Sequence, residues 1–70
     1  MNKYKVGIIG LGVGEKHLKK FKQIKGCEII SIYDKNIKKL KLISKKYKIR
    51  YCKNEKKFFK DNQINLVSIA

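Results

Sequence analysis

Glycine at positions 10, 12 and 14, directly after the β-branched run of residues 4–10 (YKVGIIG), is a pattern that makes room for a phosphate. Gly10 permits a tight turn out of a strand, and Gly12 lets backbone approach a pyrophosphate with no Cβ in the way. The amides that open a following helix attract the anion, and Leu11 and Val13 between the glycines belong to the same contact surface. An ordinary turn between strand and helix would use the same glycines for their backbone angles alone. A second residue type favours the nucleotide reading. Asp34 lies twenty-two residues after Gly12 at the end of another apolar run, where a dinucleotide site expects a carboxylate about 20 residues on. There it accepts hydrogen bonds from a ribose diol and repels a 2′-phosphate, which favours NAD over NADP. Lys35 beside it blurs that preference, since a cation tolerates a 2′-phosphate, and Asp34 is equally suited to capping the next helix.

Other reactive side chains are sparse. Cys27 and Cys52 lack CxxC spacing, and the single histidine, His17, cannot complete a zinc site with two thiols. Reduced, packed thiols in a cytoplasmic protein are expected, with no metal. His17 near an apolar stripe reads as a packed helix residue, and no catalytic residue is assigned.

The elements that position these residues follow from periodicity. Residues 4–10 suit a buried parallel strand. Leu18, Phe21 and Ile24 recur at three-residue steps in a helix over residues 15–25, stopped by Gly26. Residues 28–34 (EIISIYD) form a second strand, and Asn36 caps a helix carrying the stripe Ile37, Leu40, Ile43 and Tyr47. Residues 49–52 make a brief third strand, Asn54 caps a short helix with Phe58 and Phe59, and residues 64–70 (INLVSIA) are a fourth strand. The order βαβαβαβ implies an α/β fold of Rossmann type with a parallel sheet in the order 3-2-1-4. The two longer helices then share one face, and the short helix alone covers the other.

The net charge of +14 raises a nucleic-acid reading. Eighteen of the nineteen basic residues are lysine and they occur in every polar stretch, so they read as solvated helix faces instead of one phosphate-binding patch. No uncharged run approaches the ~18 residues of a membrane span.

Residues 6–17 (VGIIGLGVGEKH), 28–34 and 64–70, in this order and at these separations, resemble the amino-terminal nucleotide-binding domain of the Gfo/Idh/MocA oxidoreductases. The resemblance covers essentially the whole chain. It implies a Rossmann domain binding NAD or, less readily, NADP, with Gly10, Gly12, Gly14 and Asp34 as cofactor contacts. A larger α/β domain would supply substrate contacts. Two departures stand out. The glycine spacing is one residue shorter than GxGxxG, so the third glycine role falls to Gly14, leaving His17 on the family histidine, or by strict spacing to Glu15. A carboxylate there competes electrostatically with a pyrophosphate. The Thr-Pro-Asn-x-x-His and Glu-Lys-Pro segments of the family are also not in this sequence. Ala70 falls where the nicotinamide pocket would begin, so residues 1–70 read as the first four strands of an incomplete domain.

The resemblance thus implies the cofactor part of an oxidoreductase that moves hydride between nicotinamide and a sugar, polyol or related hydroxyl compound, the substrate being bound only in a longer form. The alternatives are a non-catalytic NAD-sensing or scaffold domain and a basic polyanion-binding module, whose affinity would fall steeply with salt.

Overall fold

The computed structural model describes residues 3–70. In chain order these are β1 (Tyr4–Ile9), α1 (Leu11–Gln23), β2 (Cys27–Tyr33), α2 (Ile37–Tyr47), α3 (Glu55–Phe59) and β3 (Leu66–Ile69). The strands form a parallel sheet in the order β2-β1-β3.

The strand expected at residues 49–52 is reduced to one bridge, Tyr51 to Ile32, flanked by hydrogen bonds from Ile32 N to Arg50 O (3.2 Å) and from Cys52 N to Ile32 O (3.0 Å). The cause is local. Ile49 is held by the end of α2, its amide donating to Ser44 O and its carbonyl accepting from Ser44 Oγ, while Asn54 has already begun to cap α3. Too few residues remain free to extend a ladder. The bridge still lies outside β2, so the Rossmann order holds.

α1 begins at Leu11, four residues earlier than the stripe suggests, because Leu11 is itself fully buried and so pulls the glycine segment into the helix. It ends at Gln23. Gly26, at φ +93°, then makes the turn into β2 and accepts a hydrogen bond from Tyr4 N.

Val6 and Ile8 of β1 alternate toward the side covered by α1 and α2, where Leu11, Leu18, Ile32, Leu40 and Ile43 complete a dry core. Strict alternation along β2 would put Ile29 and Ile32 on opposite faces, yet both pack on this core. A bulge reconciles them: Val6 pairs with Ile29 and Gly7 with Ser31, leaving Ile30 as an extra residue that resets the phase. On the opposite face Phe58 of α3 is buried, with its ring near Tyr33 and against Gly7 and Ile64. Beyond it that side is thin, and on β3 the side chain of Ile69 is 73% exposed.

α1 and α2 are clasped by one carboxylate. Glu15 Oε2 accepts from Tyr47 Oη at 2.7 Å and from Lys46 Nζ at 2.9 Å, and the ammonium groups of Lys22 and Lys46 lie over the Tyr47 ring. The hydrogen bond from Lys46, followed by that from Tyr47, holds the Glu15 carboxyl below its ordinary 4.5. A depressed carboxyl adds stability that is present above its unfolded value and lost as pH falls through the lower folded one. The melting temperature of Glu15→Gln should therefore lie below wild type at neutral pH and converge with it once pH drops well under 4.5. A constant gap across that range would show that the clasp does not depend on charge.

Candidate functional site

Register assembles the site. Ile9 ends β1 opposite Tyr33 of β2 and opposite Ile69 of β3, so the next residues, Gly10, Asp34 and Ala70, emerge together at the carboxyl edge of the sheet. Backbone hydrogen bonds fix them there: Gly10 N donates to Tyr33 O at 3.0 Å and Ala70 N to Ile9 O at 3.1 Å. In open parallel sheets this edge, beside the central strand, is where ligands bind.

The three glycines have three different physical reasons. Gly10 is the N-cap of α1 at φ +87°, and a Cβ on it would lie 2.7 Å from Ala70 O. Gly14 is buried, and its Cβ would meet Ile8 Cγ2 at 3.3 Å and Ala70 Cβ at 3.6 Å, so glycine there lets α1 press on β1 and β3. This close helix-to-sheet contact is the third glycine's task in dinucleotide-binding turns, and it falls to Gly14, not to Glu15. Gly12 is exposed. Its Cβ would meet nothing nearer than Lys39 Nζ at 3.9 Å, and its helical φ suits any residue.

Asp34 joins the two turns between strand and helix. Its Oδ2 accepts from Leu11 N at 2.6 Å and its Oδ1 from Asn36 N at 2.7 Å. The helix cap of α2 is Asn36, whose side chain accepts from Lys39 N. Asp34 therefore braces the turn without being the cap itself. Each carboxylate oxygen keeps a second lone pair for another donor. With Leu11 N committed to Asp34 and the Leu11 side chain in the core, the amides of Gly12 and Val13 are the ones in the first turn of α1 with no carbonyl a turn back to bond. Beside Asp34 lies a cavity of about 200 Å³ lined by Ile9, Gly10, Tyr33, Asp34, Lys35 and Glu55. Lys35 thus faces the same space as Asp34.

Glu15, the carboxylate expected to compete with a bound anion, is turned onto Lys46 and Tyr47 of α2. His17 is half-buried on α1, with Nδ1 3.2 Å from Ser68 Oγ of β3. That partner, fifty-one residues away, is beyond any periodicity argument. Lys39 and Glu55 are the two further charged residues at the site that sequence patterns did not single out. Cys27 and Cys52 are free thiols, and among the described residues no cluster of histidine, cysteine and carboxylate is placed to hold a metal. No helix among them is long and apolar enough to cross a membrane.

Comparison with known proteins decides the family. The model of GFO_IDH_MocA, the oxidoreductase family with an NAD-binding Rossmann fold, matches residues 4–70. The chain belongs to this family. As a GFO_IDH_MocA domain it is similar in fold to GenD2 from gentamicin A biosynthesis, solved with NAD, at a TM-score of 0.89 and 14% identity over 100% of this chain and 20% of that one. An oxidoreductase from Agrobacterium radiobacter, solved with NAD+, L-tartaric acid and magnesium, gives a TM-score of 0.88 and 30% identity over 99% of this chain and 21% of that one. An NAD-binding protein from Listeria innocua gives 0.87 and 20% over 99% of this chain and 20% of that one. No curated protein matches. The chain spans about a fifth of the length of these solved structures.

Proposed function

We propose that residues 1–70 are the amino-terminal part of the dinucleotide-binding domain of an oxidoreductase that prefers NAD to NADP. The single observation that carries this reading is Gly12. Gly10 and Gly14 are required by the fold, whereas at Gly12 a side chain would enter open space over the start of α1, so its absence serves something outside the chain. Space left by the missing Cβ, with the amides of Gly12 and Val13 beside it, suits a pyrophosphate. Asp34, at the cavity with Ile9, Gly10 and Lys35, suits the adenosine ribose, and Ala70 closes the far side of Gly10 toward the nicotinamide end. Bound NAD supplies a hydride acceptor. This chain's own residues orient the dinucleotide. Transfer from a sugar, polyol or related hydroxyl substrate is assigned to residues of a further domain, which the fivefold greater length of the solved relatives supports. Reduced Cys27 and Cys52 suit the cytoplasm.

Titration of both dinucleotides into wild type and Asp34→Ala tests the reading. Wild type should bind NAD more tightly than NADP, because a 2′-phosphate would meet the Asp34 carboxylate. Asp34→Ala should narrow that gap and also lower stability, since Leu11 N and Asn36 N lose their acceptor. Equal affinities for NAD and NADP in wild type would remove Asp34 from the ribose.

A further inference from the structure

Along the sequence the lysines are scattered, but packing gathers them. α1 and α2 lie side by side on one face of the sheet, joined through Glu15 to Lys46 and Tyr47, and their two spans hold nine of the eighteen lysines. Glu15 is the only carboxylate in either span, and it is half-buried and already engaged at the seam. On α2 the core takes Leu40 and Ile43, which turns Lys38, Lys41, Leu42 and Lys45 to the opposite side, at the three- and four-residue steps of one helical face. All four are exposed. On α1 burial of Leu11, Gly14 and Leu18 does the same for Lys16 and Lys20. The outer surface of this two-helix layer is therefore cationic throughout. Like charges at these spacings repel, so a dense array of negative charge laid against them relieves the repulsion. The other side of the sheet differs: Glu55 accompanies Lys56 and Lys57 in α3, and Asp61 pairs with Arg50.

The kind of polyanion follows from the residues among and around the lysines. Leu42 is 66% exposed within the α2 row, a poor place for leucine in water and a good one at the boundary of headgroups and acyl chains. A nucleic acid would be held better by arginine forks and free aromatic rings. Arg50 lies outside both helices, and the Tyr47 ring is already engaged by the ammonium groups of Lys22 and Lys46. We infer that the outer surface of α1 and α2 docks on an anionic lipid bilayer, with the lysines at the headgroups and Leu42 entering the boundary beneath them. Such docking is peripheral and needs no spanning helix. It is independent of the dinucleotide reading, whose site lies at the carboxyl edge of the sheet.

The test is co-sedimentation of the 70-residue chain with vesicles of equal parts phosphatidylglycerol and phosphatidylcholine, beside pure phosphatidylcholine vesicles and a DNA duplex, with helix content followed by circular dichroism. Wild type should bind the anionic vesicles and not the neutral ones, with affinity falling as salt rises. The triple variant Lys38→Gln, Lys41→Gln, Lys45→Gln should bind about a hundredfold more weakly, the combined effect of three lysines lost from an anionic surface. Lys56→Gln, Lys57→Gln, Lys60→Gln, which removes the same charge from α3 and its cap, should keep most of the affinity. Leu42→Gln should lose about tenfold on vesicles and nothing on the duplex. Should the α2 triple variant lose helix content, Lys16→Gln with Lys20→Gln asks the same question from α1, with a loss of about thirtyfold expected. Equal losses in the two triple variants overturn the inference, because net charge alone would then be at work. So does vesicle binding that Leu42→Gln leaves unchanged, or a preference for the duplex over the vesicles, which would make this a nucleic-acid surface. Failure of wild type to bind anionic vesicles overturns it outright.

Discussion

Gly12→Val is expected to abolish dinucleotide binding while leaving the far-ultraviolet spectrum of the chain unchanged. Both halves follow from the same geometry. In the protein alone a Cβ at position 12 meets ordinary contact with Lys39 Nζ, the movable end of a long side chain, and the backbone there is helical. Glycine in a helix is itself about 0.5–1 kcal/mol worse than alanine, so a side chain at this exposed position has no folding penalty to overcome. In the proposed complex those added carbons would occupy the seat of the pyrophosphate and hide the Gly12 and Val13 amides. Gly10→Val is the informative contrast. There φ is +87° and the Cβ would lie 2.7 Å from Ala70 O, so binding is lost through the fold and the spectrum changes with it. If Gly12→Val bound NAD as wild type does, the glycine would be an accident of the turn.

Phe58→Ala should unfold a large fraction of the chain at 25 °C, giving the largest stability effect of any truncation to alanine. Phe58 is the sole buried residue of α3 and packs against Gly7, Ile64 and Tyr33 on the thin side of the sheet. Removing a buried phenylalanine costs about 3–5 kcal/mol. A chain of this length has roughly 4–10 kcal/mol in all, at about 0.05–0.15 kcal/mol per residue. Phe59, its neighbour, is 51% exposed, and Phe59→Ala should shift the urea midpoint far less. Equal midpoints for the two variants would place the anchor of that face elsewhere.

What was legible in the sequence is what depends on neighbours a few residues apart. The α2 stripe and its Asn36 cap, the Asn54 cap of α3, the glycine turn and Asp34 at a strand end all stand where spacing puts them. Those features are set by a 3.6-residue period, by a side chain reaching an amide three residues on, or by a backbone angle. The misses share a different cause. The bulge at Ile30 breaks the two-residue alternation, and nothing in the run EIISIYD marks which isoleucine is extra. The shortened outer strand depends on Ser44 capturing Ile49, a competition between a helix end and a sheet edge. The partners of Glu15, Lys46 and Tyr47, lie more than thirty residues away, so its position in the first turn of α1 gives no sign that its charge is engaged by α2. Lys39 was one lysine among eighteen until α2 was laid beside α1.

The two hydrogen bonds of Asp34 have a last consequence, in thermodynamic linkage. They tie the exit of β1 to the exit of β2, so the ribose seat proposed at Asp34 would exist only while those strands are in register, and a ligand using it would select the folded chain. At a concentration one hundred times its dissociation constant, such a ligand adds about 2.7 kcal/mol. In a chain this small that is worth on the order of ten degrees of melting temperature. Supply of dinucleotide would then govern how much of the protein stays folded and escapes proteolysis, which makes the cofactor a determinant of its lifetime as well as its chemistry.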